Sequence, residues 1–330
     1  MFMERYQELS KRIGMEGSER IPRLFEMIAP DDRADLLLAL PGQAPELAEK
    51  LGKTEDEVNA LLQELFVKGL VFPSRKTDPP TYRMSRDIIQ FHDASILWPD
   101  APREFYDLWN EWTEVEWPAV ARLMTQIMPR PGFRVIPVGA TVESEGQVLA
   151  FEDVKDIIEK SDRLAVTNCT CRLVAKKCDH TLEACIQVNN AAKYAVARGT
   201  GRELTKAEAL DLVEKAEEEG LIHSTFNQKS VDHVICNCCG CCCQFMPVLV
   251  KYGTAVVSPS RFEARVDPER CTACGTCVER CYFEAVTLDD TARVAAEKCF
   301  GCGLCQVTCP SEAISLVEVR AEEHVPDKFM

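Results

Sequence analysis

The sequence predicts an α+β protein of several domains, and three observations carry that expectation. Near the N-terminus, short amphipathic helical stretches give way to two strand-like runs around a proline-rich tip. In the middle, β-branched runs alternate with capped helical segments. Toward the C-terminus one cysteine spacing occurs twice, each copy followed by a short strand-like run. At 330 residues the chain is long enough for two or three separate cores. The boundaries are drawn at 1–90, 91–258 and 259–330.

In the first segment, Leu24 to Ile28 and Ala34 to Leu40 read as short apolar helices broken by Pro41 and Gly42. Ala44 to Leu51 is a further helix ended by Gly52. Thr54 caps Glu55 to Lys68, with Glu57 at the third helical position and Gly69 as the stop. Leu70 to Pro73 and Thr81 to Met84 are expected as two strands around the Lys76 to Pro80 tip. Helix, turn, helix and two-stranded wing resemble the winged-helix fold, which implies a regulator or an interaction module. The second helix carries Glu55, Asp56, Glu57 and Glu64 against Lys68, so phosphate would repel it and the interaction module is preferred to DNA reading.

The second segment opens with Trp98, Phe105, Tyr106, Trp109, Trp112 and Trp117; residues 105, 109 and 112 share one helical face and read as core. Arg134 to Val138 and Val148 to Ala150 are expected as a hairpin, Phe151 to Lys160 as a helix, and Leu164 to Thr167 as a strand. That strand delivers Cys169, Cys171, Cys178 and Cys185, spaced C-x-C-x6-C-x6-C, four thiolates amid Arg172, Lys176, Lys177 and His180. Thr181 is expected to begin a helix to Arg198, with Cys185 in its first turns near the positive end of the dipole. Thr205 and Glu208 form the capping box of a helix to Glu219, stopped by Gly220. Leu221 to Phe226 and Val231 to Cys236 then form a hairpin, and six thiols follow within eight residues: Cys236, Cys238, Cys239, Cys241, Cys242 and Cys243. Neighbouring side chains diverge in extended backbone, so Asn237 and Gly240 are expected to mark tight turns. Gln244 to Tyr252 is a closing helix. Two four-cysteine sites would use eight of these ten thiols; one such site beside an unusual centre is the alternative. His223 and His233, on the hairpin leading into the run, read as ordinary residues, with a role beside a metal centre as the sharper possibility.

The last segment reads C-x2-C-x2-C-x3-C at Cys271, Cys274, Cys277 and Cys281, and again at Cys299, Cys302, Cys305 and Cys309, with Pro310 after the last. Structural zinc would need two separated pairs; a close triplet instead presents three thiolates to one small face. The stretch from Arg261 to Val319 resembles the bacterial two-cluster 4Fe-4S ferredoxins. The resemblance implies a βαβ pseudo-twofold repeat. It also implies that Cys271, Cys274, Cys277 and Cys309 hold one cluster and that Cys299, Cys302, Cys305 and Cys281 hold the other. Tyr282 stands where such ferredoxins usually carry a proline. Gly275, Gly301 and Gly303 are expected to let N–H groups reach sulfur, and Ala285 to Leu288 and Ala313 to Val317 to be equivalent strands. The arrangement of both cysteine groups ahead of this repeat is similar to that of large iron-sulfur proteins of anaerobic bacteria.

These readings converge on an electron-transfer protein or subunit. Two 4Fe-4S clusters and one or two further iron-sulfur clusters upstream would relay electrons between a donor and a flavin- or metal-dependent oxidoreductase. Two other readings are a reductase with a substrate-binding cluster at the 236–243 cysteine run and a redox-responsive regulator. Catalytic side chains are not expected, and enzyme status stays open. The sequence carries neither a Walker A sequence nor a G-x-G-x-x-G loop after a strand, so flavin and NAD are not expected. A formal charge of -15 argues against nucleic acid. Without an apolar leader or a run of roughly 20 apolar residues, a cytoplasmic protein that does not insert in a membrane is expected.

Overall fold

A computed structural model of the chain describes residues 2–74, 76–138, 149, 152–231 and 233–328. They divide into two compact units, one comprising Met1–Trp117, Leu173–Ala175 and Arg198–Thr200, the other Pro118–Arg172, Lys176–Ala197 and Gly201–Met330. The architecture mixes helix and sheet. Among the described residues no helix is long and apolar enough to cross a membrane.

The first unit carries helices α1 (Phe2–Arg12), α2 (Ile21–Ile28), α3 (Asp32–Ala39), α4 (Ala44–Leu51) and α5 (Glu55–Val67). Strands β1 (Val71–Ser74) and β2 (Thr81–Met84) follow, then α6 (Ile88–Ser95) and α7 (Arg103–Val115). Helix α2 repeats apolar residues at helical spacing, and Ile21, Leu24, Phe25 and Ile28 are all fully buried. Helix α5 starts at a complete capping box, Thr54 accepting from the Glu57 amide and Glu57 accepting from the Thr54 amide. The pairing of β1 with β2 is antiparallel, Val71 opposite Met84 and Ser74 opposite Thr81. Phe105, Trp109 and Trp112 of α7 lie on one buried face, as their spacing predicts, with the Trp109 and Trp112 rings edge to face at 5.5 Å. Phe91 of α6 joins them, 5.2 Å from Trp109 and stacked on Phe25 at 4.3 Å.

The second unit is organised on a seven-stranded sheet in the order β6-β4-β5-β8-β7-β3-β9. Helix α8 (Trp117–Ile127) enters it, followed by β3 (Phe133–Val135), α9 (Val154–Lys160), β4 (Leu164–Asn168), α10 (Thr170–Ala175) and β5 (Glu183–Val188). Then come α11 (Asn190–Ala197), β6 (Arg202–Leu204), α12 (Lys206–Glu218), β7 (Ile222–Phe226), β8 (Val234–Cys238), α13 (Met246–Tyr252) and β9 (Val257–Ser258). Every pairing is antiparallel except that of β3 with β9. Leu164, Val166, Ile186, Val188 and Ile235 form a core with Val154, Ile157 and Ile158 of α9 and Val213 of α12. Strand side chains alternate, so the residues between these project from the opposite face.

Two expectations change here. The helix expected from Thr181 is strand β5 followed by the short α11, and Cys185 therefore lies on a strand instead of in a helical first turn. The alternation of buried Ala184, Ile186 and Val188 with less buried Cys185 and Gln187 has a period of two, and sheet pairing on both sides satisfies the backbone. Asn237 does not mark a turn. It lies within β8, fully buried, its Oδ1 2.7 Å from His223 Nδ1 and its Nδ2 donating to Ala184 O at 2.9 Å. Most of the expected Val148 to Ala150 strand falls outside the described residues.

The C-terminal segment adds β10 (Phe262–Val266), α14 (Thr276–Glu279), β11 (Val286–Leu288), β12 (Ala292–Val294), α15 (Leu304–Val307) and β13 (Ile314–Glu318). Two antiparallel pairs result, β10 with β13 and β11 with β12. Phe25→Ala, which removes a stacked and fully buried ring from the first unit, is expected to cost about 3–5 kcal/mol, read by urea denaturation.

Candidate metal centres

In the C-terminal segment each cysteine triplet runs through a loop into a one-turn helix, α14 or α15, and the fourth cysteine follows that helix. The two pairs of strands close this loop framework so that eight sulfurs stand around two separate voids. One void is lined by Cys281, Cys299, Cys302 and Cys305, beneath the stacked rings of Phe283 and Phe300 at 4.4 Å. The other is lined by Cys271, Cys274, Cys277 and Cys309. In each set three sulfurs come from one triplet and the fourth from the other end of the repeat.

Backbone amides aim at these sulfurs. Ala285 donates to Cys281 at 3.4 Å and Ala264 to Cys299 at 3.5 Å; in the other set Ala292 donates to Cys271 at 3.4 Å and Ala313 to Cys309 at 3.3 Å. These donors are alanines, not the glycines on which the sequence drew attention. Gly301 has a different use. A side chain there would stand 2.2 Å from the Phe262 carbonyl, in a backbone at φ +62°.

The two sets differ in exposure. Cys305 is buried and Cys302 half-buried, and desolvation pushes the Cys302 thiol up to about 12 and raises that of Cys305 as well. Cys274 is exposed, and the hydroxyl of Thr276, 3.5 Å from its sulfur, lowers its pKa. A desolvated thiol such as that of Cys305 gives up its proton more readily when positive charge stands beside it, which fits a metal centre.

A model of the 4Fe-4S binding domain matches residues 264–287 and 292–315, so that each match covers one half of this framework. Residues 264–315 form a 4Fe-4S ferredoxin-type domain. Its occurrence implies an iron-sulfur electron-transfer role for the chain. Neither a comparison with curated proteins nor one with solved structures returns a match.

The ten upstream cysteines sort into six and four, a division that cuts across their order in the chain. Six form a closed ring of neighbours: Cys169 beside Cys171, then Cys243, Cys238, Cys236, Cys185 and back to Cys169. Strand alternation builds half of it. Cys185 sits directly opposite Cys236 across β5 and β8, on the face away from Ile186 and Ile235, and Cys238 follows two residues on. Cys169 and Cys171 come from the end of β4 and the start of α10, Cys243 from the loop before α13. Hydrogen bonds from Cys171 and Cys185 hold Cys169 well below the usual thiol range. Those from Cys236 and Cys243 do the same for Cys238. The amide of Gln244 donates to Cys171 at 3.4 Å, and Ser224 Oγ lies 3.5 Å from Cys238.

The remaining four, Cys178, Cys239, Cys241 and Cys242, gather with all sulfurs within 4.8 Å of one another. Cys178 thus stands apart from Cys169, Cys171 and Cys185, its partners in the linear spacing. The amide of Lys177 donates to Cys242 at 3.3 Å.

Two residues stand between the groups: Arg172, expected to offset thiolate charge, and Tyr282, for which the sequence suggested only a local change of turn. Arg172 is fully buried and donates to the carbonyls of Thr181 and of Asn237, the latter at 3.1 Å. Burial works against its charge, but Cys169, Cys239 and Cys178 outweigh it and its pKa is raised. Tyr282, next to Cys281, lies against the turn that carries the four-sulfur group: a side chain at Gly240 would stand 2.3 Å from Tyr282 Cδ1. His223 has no sulfur partner in its hydrogen bonds; its ring nitrogens face Asn237 and Glu217.

Gly301→Ala is expected to distort the loop that carries Cys299 and Cys302. The iron content of the anaerobically purified chain should fall by about four atoms, with the set of Cys271, Cys274, Cys277 and Cys309 retained. An iron count equal to that of the unaltered chain would contradict this assignment of Gly301.

Proposed function

We propose that the chain is an electron-transfer protein or subunit passing one-electron equivalents between a donor and a partner oxidoreductase. The observation that carries this reading is the pair of four-cysteine voids within the segment matched by the 4Fe-4S binding domain. Cys271, Cys274, Cys277 and Cys309 would hold one 4Fe-4S cluster, and Cys281, Cys299, Cys302 and Cys305 the other, as in two-cluster ferredoxins of the bacterial type. When bound, such a cluster supplies a one-electron couple. The chain's own groups supply thiolates, amide donors to sulfur in each set, and an apolar cover in Phe283 and Phe300. Amide donors and burial are the means by which these residues set a potential.

The six-sulfur ring would hold a further iron-sulfur centre. Six neighbouring sulfurs, with Cys185 and Cys236 in register across β5 and β8, are a donor set that a polynuclear cation core would suit, with the Arg172 guanidinium beside it. Tyr282 supports a relay between this centre and the ferredoxin-type domain. It follows Cys281 directly, and its ring lies on Gly240, in the turn joining the ring members Cys238 and Cys243. The two sulfurs beyond the four that one cubane takes favour a second reading, in which the ring centre binds and reduces a small molecule.

Helices α4 and α5 with the β1–β2 hairpin support a winged-helix-like module in the first unit. Glu55, Asp56 and Glu57 crowd the first turn of α5, and Lys68 is bound to Glu64 at 2.8 Å, which favours a protein partner over DNA. A flavin- or metal-dependent oxidoreductase in the cytoplasm is the partner that this reading calls for.

The whole chain, purified without oxygen, is expected to carry more than about eight iron atoms, with two interacting cluster signals by electron paramagnetic resonance. Cys305→Ser should remove one of those signals and leave the upstream iron. A count of about eight would overturn the upstream centre, and a count near zero the whole reading.

A further inference from the structure

We propose that Cys178, Cys239, Cys241 and Cys242 bind a single tetrahedral metal ion, zinc, and not an iron-sulfur cluster. This does not rest on the electron-transfer reading, because it concerns sulfur geometry alone. Cys178 Sγ lies 3.8 Å from Cys239 Sγ and 3.6 Å from Cys242 Sγ, and Cys241 Sγ lies 3.8 Å from Cys242 Sγ. All remaining pairs are within 4.8 Å. Four thiolates on one zinc ion, with Zn–S bonds of about 2.3 Å in a tetrahedron, stand about 3.8 Å apart. The observed separations match that figure.

Thiolates of a cubane meet four different irons and diverge from its corners, so their sulfurs must stand further apart than those sharing one ion. The ferredoxin-type domain in this same chain has that wider arrangement, with each set of four around a void. The upstream group is closed on itself instead.

Four protein sulfurs leave no open position, which is the mark of a structural zinc site. Its mechanical role follows from the segments it ties. Cys178 belongs to the loop after α10, and Cys239, Cys241 and Cys242 belong to the turn after β8. The ring members Cys171 and Cys243 sit at the borders of those two segments. An ion here therefore clamps both edges of the six-sulfur ring and presents Gly240 to Tyr282. The surroundings suit a dianionic tetrathiolate: the Lys177 amide donates to Cys242, and the buried Arg172 guanidinium lies close to Cys239 and Cys178.

The test is the metal content and the zinc-edge X-ray absorption of the full chain, purified without oxygen and without added chelator. The expected result is about one zinc per chain with four sulfur neighbours at about 2.3 Å. Cys241→Ser should bring zinc close to zero while leaving the two cluster signals of the ferredoxin-type domain. Those signals report folding, and the absorption measurement on the unaltered chain keeps the proposal testable where the variant does not fold. Absence of zinc from the unaltered chain would overturn the proposal. So would a single iron in its place, or the loss of about four irons in Cys241→Ser. None of these outcomes bears on whether Cys271 to Cys309 hold clusters, which the iron count decides separately.

Discussion

Sulfur that must lose its proton is buried in this chain, and the second unit depends on how that cost is met. A desolvated thiolate is unfavourable, and several brought together repel one another. Burial raises the Cys302 and Cys305 thiols, and in the six-sulfur ring neighbouring thiols lower those of Cys169 and Cys238 by hydrogen bonding. Metal cations are the compensation that lets such sulfurs ionise together, which couples the local structure to metal binding. Amide donors and the Arg172 guanidinium add to that compensation without replacing it.

The sheet solves the problem of bringing sulfurs together while keeping a core. One face of β4, β5 and β8 packs Leu164, Val166, Ile186 and Ile235 against α9 and α12. The alternate positions of β5 and β8 carry Cys185 and Cys236 in register. A shift of one residue in that register would send cysteines into the apolar core and isoleucines into the sulfur ring, so the hydrophobic pattern also sets which sulfurs meet. Asn237 and His223 belong to the core side. Their bonds to Ala184 and Glu217 tie β5, β7, β8 and α12 together behind the sulfurs.

Contacts at the junction explain the one departure from ferredoxin spacing. Tyr282, in place of a proline, fills the surface left by Gly240, while the neighbouring Arg280 donates to the Glu218 carbonyl at 3.1 Å. The ferredoxin-type domain is thereby attached to the central sheet through residues adjacent to Cys281.

Much of this was legible in the primary structure, for local reasons. The doubled C-x2-C-x2-C-x3-C spacing determines a 4Fe-4S ferredoxin-type segment, because three thiolates so close in sequence can present themselves to one small object. The capping boxes at Thr54 and Thr205 and the α7 face of Phe105, Trp109 and Trp112 were likewise readable, since caps and helical periodicity are set within a few residues. Tertiary structure decided the rest. Cys185 became a strand residue because two neighbouring strands accept its backbone, and no window of sequence contains those neighbours. Cys178 joined residues some sixty positions away, and the ten upstream sulfurs divided into six and four, because pairing of β5 with β8 and the turn after β8 set which sulfurs meet. Spacing along a chain determines which ligands can share a metal only while the intervening backbone is short; beyond that, sheet register decides.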